Sequence, residues 1–163
     1  MNDVVRLQPA SILSRLIGWL DAVPYGLLAL PLRLAVATVF WRSGLTKLAD
    51  WNAALFLFEN DYQLPLLPPV LAALMAVTVE LTTPPLLVLG LLTRPVAAVL
   101  LGMTLVIQVL VYPTAWPTHI QWAAMLLVLL CRGAGQVSAD HWLARWWLSR
   151  SEIGAPAAVR APR

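Results

Sequence analysis

Apolar residues fill long, almost uninterrupted stretches of the chain. From Tyr62 to Thr93 the single charged residue is Glu80, and from Pro95 to Cys131 there is no Asp, Glu, Lys or Arg. Such runs match a bilayer hydrocarbon core, which about 20 apolar helical residues cross, rather than the interior of a water-soluble domain. The uncharged run is too long for one crossing, and "YPTAWPT" divides it where Pro113 and Pro117 disfavour continuous helix. "LLTRPV" makes an equally tight turn, with Arg94 before Pro95. The pattern predicts spans near 25–47, 69–92, 95–113 and 116–132, joined by short connections into a four-helix bundle.

Two flanking segments carry a different pattern. "ILSRLIGWLDAV" and "ADHWLARWWLSR" mix Trp and Leu with Arg and Asp, as do helices that lie in the membrane interface. The expected fold class is therefore all-α: an integral membrane four-helix bundle with flanking interfacial amphipathic helices. In domain terms, residues 1–24 form an N-terminal interfacial segment and 25–135 the transmembrane domain. Residues 136–152 form a C-terminal interfacial helix, and 153–163 a disordered tail. Trp19, Trp142, Trp146 and Trp147 fall at one interface, and Trp41, Trp51, Trp116 and Trp122 at the other.

Composition agrees with this reading: the chain is 60% hydrophobic and 12% charged. The formal net charge of +3 does not call for nucleic acid, because the basic residues are not clustered with exposed aromatics in a polar segment. They mark topology instead. Arg6 and Arg15 precede the first span, Arg94 lies in the second connection, and Arg132, Arg145, Arg150, Arg160 and Arg163 follow the last. The first connection holds Asp50, Glu59 and Asp61. The positive-inside rule then predicts a multi-pass protein of the bacterial inner membrane with both termini cytoplasmic. The polar N-terminus shows no removable signal peptide. A lone Cys131 cannot form an intrachain disulfide or a CxxC pair, and two histidines in separate regions give no convincing metal site.

The charges inside the spans are the candidate chemistry. Arg33, Phe40, Gly44 and Lys47 share one face of the first span, with Lys47 free to snorkel outward and Arg33 about 12 Å inside the cytoplasmic start of its helix. Glu80 lies about 18 Å from the inner end of the second. Depth makes Arg33 the expected partner of Glu80, since an unpaired charge there costs on the order of 3 kcal/mol or more. Pro84 and Pro85 free the carbonyls of Glu80 and Leu81, for which Thr82, Thr83, Gln108 or Arg33 are candidate donors. Whether this polar site fastens helices or handles a ligand or proton is open at this level. His119 and Trp122, with Gln121, are weaker candidates for a quinone headgroup contact; the plainer reading puts His119 at the interface. Small residues such as Gly90 and Gly102 permit a homo-oligomer without specifying one.

Together, "LRLAVATVFWRSGLTKLADW", "LPLLPPVLAALMAVTVELTTPPLLVLGLLTRPVAAVLL" and "WPTHIQWAAMLLVLLCRGAGQVSADHWL" resemble the DoxX family of small bacterial four-helix membrane proteins. The likeness covers about residues 25–145, with "GAG" in the exit motif where "GPG" is commoner. Arg33, Ser43, Gly44, Lys47, Glu80, Gly90 and Arg94 fall on family motif positions. The resemblance implies a membrane partner of redox systems: a subunit of a thiosulfate:quinone oxidoreductase, a companion of oxidative-stress or thiol-handling proteins, or a member near metal-stress genes. The expectation is an accessory subunit that contacts quinone and a redox or stress-response protein, without a covalently bound cofactor or redox centre of its own. Alternatives are a small proton- or cation-coupled transporter and a non-catalytic scaffold.

Overall fold

The computed structural model describes residues 12–153, and side chains through residue 150. Residues 1–11 and 154–163 lie outside the described part; of the tail expected to be disordered from residue 153, Ile153 is described and ends the last helix. Seven helices follow in order: α1 (Ile12–Asp21), α2 (Tyr25–Ala49), α3 (Trp51–Leu57), α4 (Pro69–Leu89), α5 (Thr93–Val106), α6 (Trp116–Arg132) and α7 (Ala139–Ile153). Short π-helical turns at Phe58–Tyr62 and Ile107–Val111 extend α3 and α5. No strand occurs among the described residues.

Among the described residues, four helices are long and apolar enough to cross a membrane: Tyr25–Ala49, Pro69–Leu89, Thr93–Val111 and Pro113–Arg132. They lie within a few residues of the expected spans. Their common core consists of Ala29, Val36, Ala37 and Phe40 from α2, Leu87 from α4, Val96, Ala97 and Leu100 from α5, and Leu126 and Leu129 from α6. The opposite faces, among them Leu27, Leu34, Leu74, Val99, Leu105 and Leu127, are exposed. An apolar outer face is what lipid as the surrounding solvent requires. The two flanking segments are helical as expected. α1 buries no residue, and Trp142 and Trp147 of α7 are each 71% exposed.

The tightest helix pair is α2 with α4, and Gly44 explains why. A Cβ there would stand 3.0 Å from the Glu80 Cβ and 2.8 Å from Leu81 Cδ2, so the two helices could not approach this closely with any side chain at 44. The first connection is also more than a loop. Asp50 ends α2 and caps α3 by accepting from the Ala53 amide at 2.9 Å, and Phe58 packs with Ala72 and Ala73 at the start of α4.

At the other end of the bundle, α4 stops at Gly90 (φ 69°). Leu91 N–H bonds the Leu86 carbonyl at 2.8 Å and Gly90 N–H that of Leu87 at 3.0 Å, the paired bonds of a Schellman ending. Asp140, at the start of α7, then accepts from Leu92 N–H (2.8 Å) and Thr93 N–H (3.0 Å), capping α5 from across the chain, while its own amide bonds Gly90 O at 3.0 Å. Gly135 lies so close to Gly26 that a Cβ would meet its Cα at 2.6 Å. The turn "LGLLTR" and the exit "GAGQVSAD" therefore form one clasp.

A Cβ at Gly90 would collide with the Arg33 guanidinium and Ser138, besides the strain of its positive φ. Gly90→Ala should thus destabilise by at least about 2 kcal/mol. Gly102→Ala, in α5 with open space around it, should be neutral or stabilising by up to about 1 kcal/mol. Unfolding in detergent, followed by near-UV circular dichroism, measures both; equal effects would contradict the clasp geometry.

Candidate functional site

Glu80 is 2% exposed, and its partner is Lys47 rather than Arg33. Lys47 Nζ donates to both carboxylate oxygens at 2.8 Å and to Ser43 Oγ at 2.7 Å, while Ser43 Oγ donates to Glu80 Oε1 at 3.1 Å. All three ammonium hydrogens are thereby used. The reason for the correction is helix direction. Side chains lean toward the N-terminus of their own helix. α2 and α4 run oppositely, so Lys47 on α2 leans down toward Glu80 while Glu80 on α4 leans up to meet it. Arg33, about 16 Å further down α2 than Gly44, leans away from both.

Arg33 belongs to the clasp. It is 1% exposed, and its Nη2 donates to Val137 O at 2.6 Å and its Nη1 to Val88 O at 3.4 Å. The site expected to unite Arg33 and Glu80 is thus two polar centres at opposite ends of the α2–α4 crossing. Thr82 and Thr83 do not reach the carbonyls freed by the prolines either. Their hydroxyls bond Thr78 O and Val79 O, each at 2.7 Å, and α4 stays helical through Pro84 and Pro85. Arg94, in the clasp, donates to Cys131 O at 3.3 Å.

Lys47, Ser43 and Glu80 line a cavity of about 360 Å³ in the half of the bundle away from the clasp. Its walls are aromatic and thioether-rich: Phe40, Phe58, Tyr62, Tyr112, Trp122, Met75 and Met103. His119 also lines it, and at 5% exposure it is a buried group, not the interfacial one expected. Trp122 is likewise moved inward from the expected aromatic belt, its ring centroid 5.8 Å from that of Phe40 and 5.2 Å from that of His119. Gln108 belongs here too, since its Oε1 is 2.7 Å from His119 Nδ1 and its Nε2 donates to Pro113 O at 2.8 Å.

Sequence reasoning missed Phe58 and Tyr62, which fall in the first connection, and Tyr112, which falls at the very end of the third expected span. The available signal was the spacing of Phe58 and Tyr62, which puts their rings 4.7 Å apart. The Tyr62 and Tyr112 rings meet edge-on at 5.6 Å. Burial first, then Tyr112, pushes the Tyr62 phenol well above its ordinary value, so it stays protonated. Ser43 and Lys47 do not form a nucleophilic Ser–Lys dyad, because the lysine gives its remaining hydrogens to Glu80 and has no lone pair with which to act as base.

A family model described as DoxX matches residues 28–113, more than half of the chain. The chain belongs to the DoxX family. No curated protein and no solved structure matches it. The DoxX match takes in Arg33, Ser43, Gly44, Lys47, Glu80, Gly90 and Arg94 and ends before His119 and the exit loop. This DoxX protein therefore draws its cavity from both the matched region and the helix that follows it.

A double-mutant cycle separates the two polar centres. Lys47→Met or Glu80→Gln alone should cost about 3–5 kcal/mol by leaving an uncompensated buried group, and Lys47→Met with Glu80→Leu should recover most of it. Arg33→Met and Glu80→Gln should instead be additive within about 0.5 kcal/mol. Strong coupling between Arg33 and Glu80 would refute the two-centre arrangement.

Proposed function

We propose that this multi-pass DoxX protein is the membrane component of a redox or stress-response complex, and that its cavity receives the head of a quinone-class lipid. The observation that carries the reading is where the cavity opens. Met75 of α4 and Val99 of α5 line it yet are 51% and 49% exposed, so its mouth lies between these helices on the lipid-facing surface. A ligand dissolved in the bilayer can enter there without crossing water. Its volume sits at the low end of the roughly 300–1,000 Å³ of small-molecule sites, with apolar walls and a few converging polar groups. Flat rings such as Trp122, Phe40 and Phe58 favour an aromatic head. The Lys47–Glu80 pair brings no net charge, which favours a neutral one.

The alternative in which Glu80 carries a cation finds less support, because the Lys47 ammonium already occupies both carboxylate oxygens. The soluble redox partner would supply electron transfer chemistry that the cavity residues do not themselves provide. Charge asymmetry supports an inner-membrane placement with cytoplasmic termini. Arg15, Arg94, Arg132, Arg145 and Arg150 gather at the clasp end, and Asp50, Glu59 and Asp61 at the other.

Decylubiquinone titrated into the protein in nanodiscs should quench tryptophan fluorescence saturably, through Trp122. Val99→Trp, which fills the mouth from an exposed position, should weaken binding at least about tenfold while leaving the melting temperature unchanged. Absence of saturable quenching would defeat the quinone reading. Topology reporters fused after Arg150 should report cytoplasm, and one inserted near Asn60 the periplasm; the reverse pattern would overturn the placement.

A further inference from the structure

The hydrogen-bond inventory of the cavity fixes more than its location. Pro113 O can only accept, so the Gln108 amide nitrogen must be the atom that faces it. That turns Gln108 Oε1, an acceptor, toward His119 Nδ1 at 2.7 Å. In the neutral ring Nδ1 must then carry the hydrogen, and Nε2 is left as a bare lone pair. His119 is 5% exposed and lines the cavity, and of its two ring nitrogens only Nδ1 is hydrogen-bonded among the described residues. Nε2 is thus an acceptor open to the cavity, and a ligand that offers a donor gains a hydrogen bond there.

The remaining polar groups point the same way. Lys47 has no hydrogen left to give, and the Ser43 hydrogen is committed to Glu80. Tyr62 and Tyr112 meet edge-on elsewhere on the cavity wall. Unused lone pairs remain on His119 Nε2 and on the Ser43 and Glu80 oxygens. Ser43, Lys47, Glu80 and His119 leave no hydrogen for a carbonyl head, whereas a hydroxyl head finds acceptors among them.

We infer that the cavity is built for the hydroxyl-bearing, reduced form of its aromatic ligand, with His119 Nε2 accepting the ligand's O–H. This rests on the quinone-class reading above and specifies the redox state that the site favours. His119 is the group that reads that state.

The test compares decylubiquinol with decylubiquinone by tryptophan quenching, on the full chain in nanodiscs under anaerobic conditions. The reduced form should bind about tenfold tighter, the penalty for one unmet buried hydrogen bond. His119→Asn keeps a donor toward Gln108 but removes the Nε2 acceptor, and should bring the ratio of the two affinities near one. As an independent readout, ¹⁵N spectra of histidine-labelled protein carrying His141→Gln should show His119 with Nδ1 protonated and Nε2 bare. Equal or tighter binding of the oxidised form, or a protonated Nε2 in the neutral ring, overturns the inference and leaves the quinone reading standing. Binding of neither form sinks both.

Discussion

The Lys47–Glu80 bond across the α2–α4 crossing is the constraint on which the rest of the bundle depends. Lipid offers no hydrogen bonds, so two opposite charges within apolar helices must find each other or face water. They meet only because Gly44 lets the helix backbones approach, with the Glu80 Cβ filling the space above it. Helix packing between apolar surfaces in a bilayer lacks a hydrophobic drive of its own, and the ion pair supplies the register that packing alone leaves loose. Once that register is set, the position of Arg33 follows. It is carried about 16 Å down α2 to the level at which α4 ends.

There Arg33 does what a cation at a helix C-terminus does well. Val88 O belongs to the last turn of α4, whose carbonyls lack intrahelical donors, and the guanidinium meets it and the Val137 carbonyl of the exit loop together. Asp140 performs the converse task at the start of α5, where free amides need an acceptor. The clasp thus satisfies the end of one helix and the beginning of the next with residues drawn from α2 and α7. Gly26, Gly90 and Gly135 give it the room. Its polar groups serve backbone ends, whereas those of the cavity serve one another and leave lone pairs over.

Much of the fold was legible because hydropathy and proline placement are dictated by the bilayer itself. An uncharged stretch from Pro95 to Cys131 broken by Pro113 and Pro117 admits few arrangements other than a helical hairpin. The polar site was legible in membership but not in pairing. Arg33, Lys47 and Glu80 stood out as charges in apolar helices, yet depth counted from helix ends assigned Glu80 to Arg33. That estimate treats a side chain as a point on its helix axis, and it fails where long side chains on antiparallel helices lean in opposite directions. It also assumes aligned ends. α4 starts well beyond the level of Lys47, and α3 with its π turn covers the excess. His119 and Gln108 were read apart because their contact is made by a turn whose geometry has no period to detect.

That turn is the reason the cavity exists. Regular α-helices with this much small and aliphatic side chain could close on one another, as they do around Leu100, Leu126 and Leu129. Two π-helical turns prevent closure at the other end, one at Phe58–Tyr62 and one at Ile107–Val111, and both contribute to the cavity wall. A π turn inserts a residue and rotates all that follows, which is why such turns are frequent where a helix builds a site. Here the rotations bring Tyr62 against Tyr112 and leave Gln108 between Pro113 O and the His119 ring. The local irregularity that opens the space is therefore the same one that sets Gln108 against His119 Nδ1, so the backbone decides which edge of the imidazole is bonded and which is turned elsewhere.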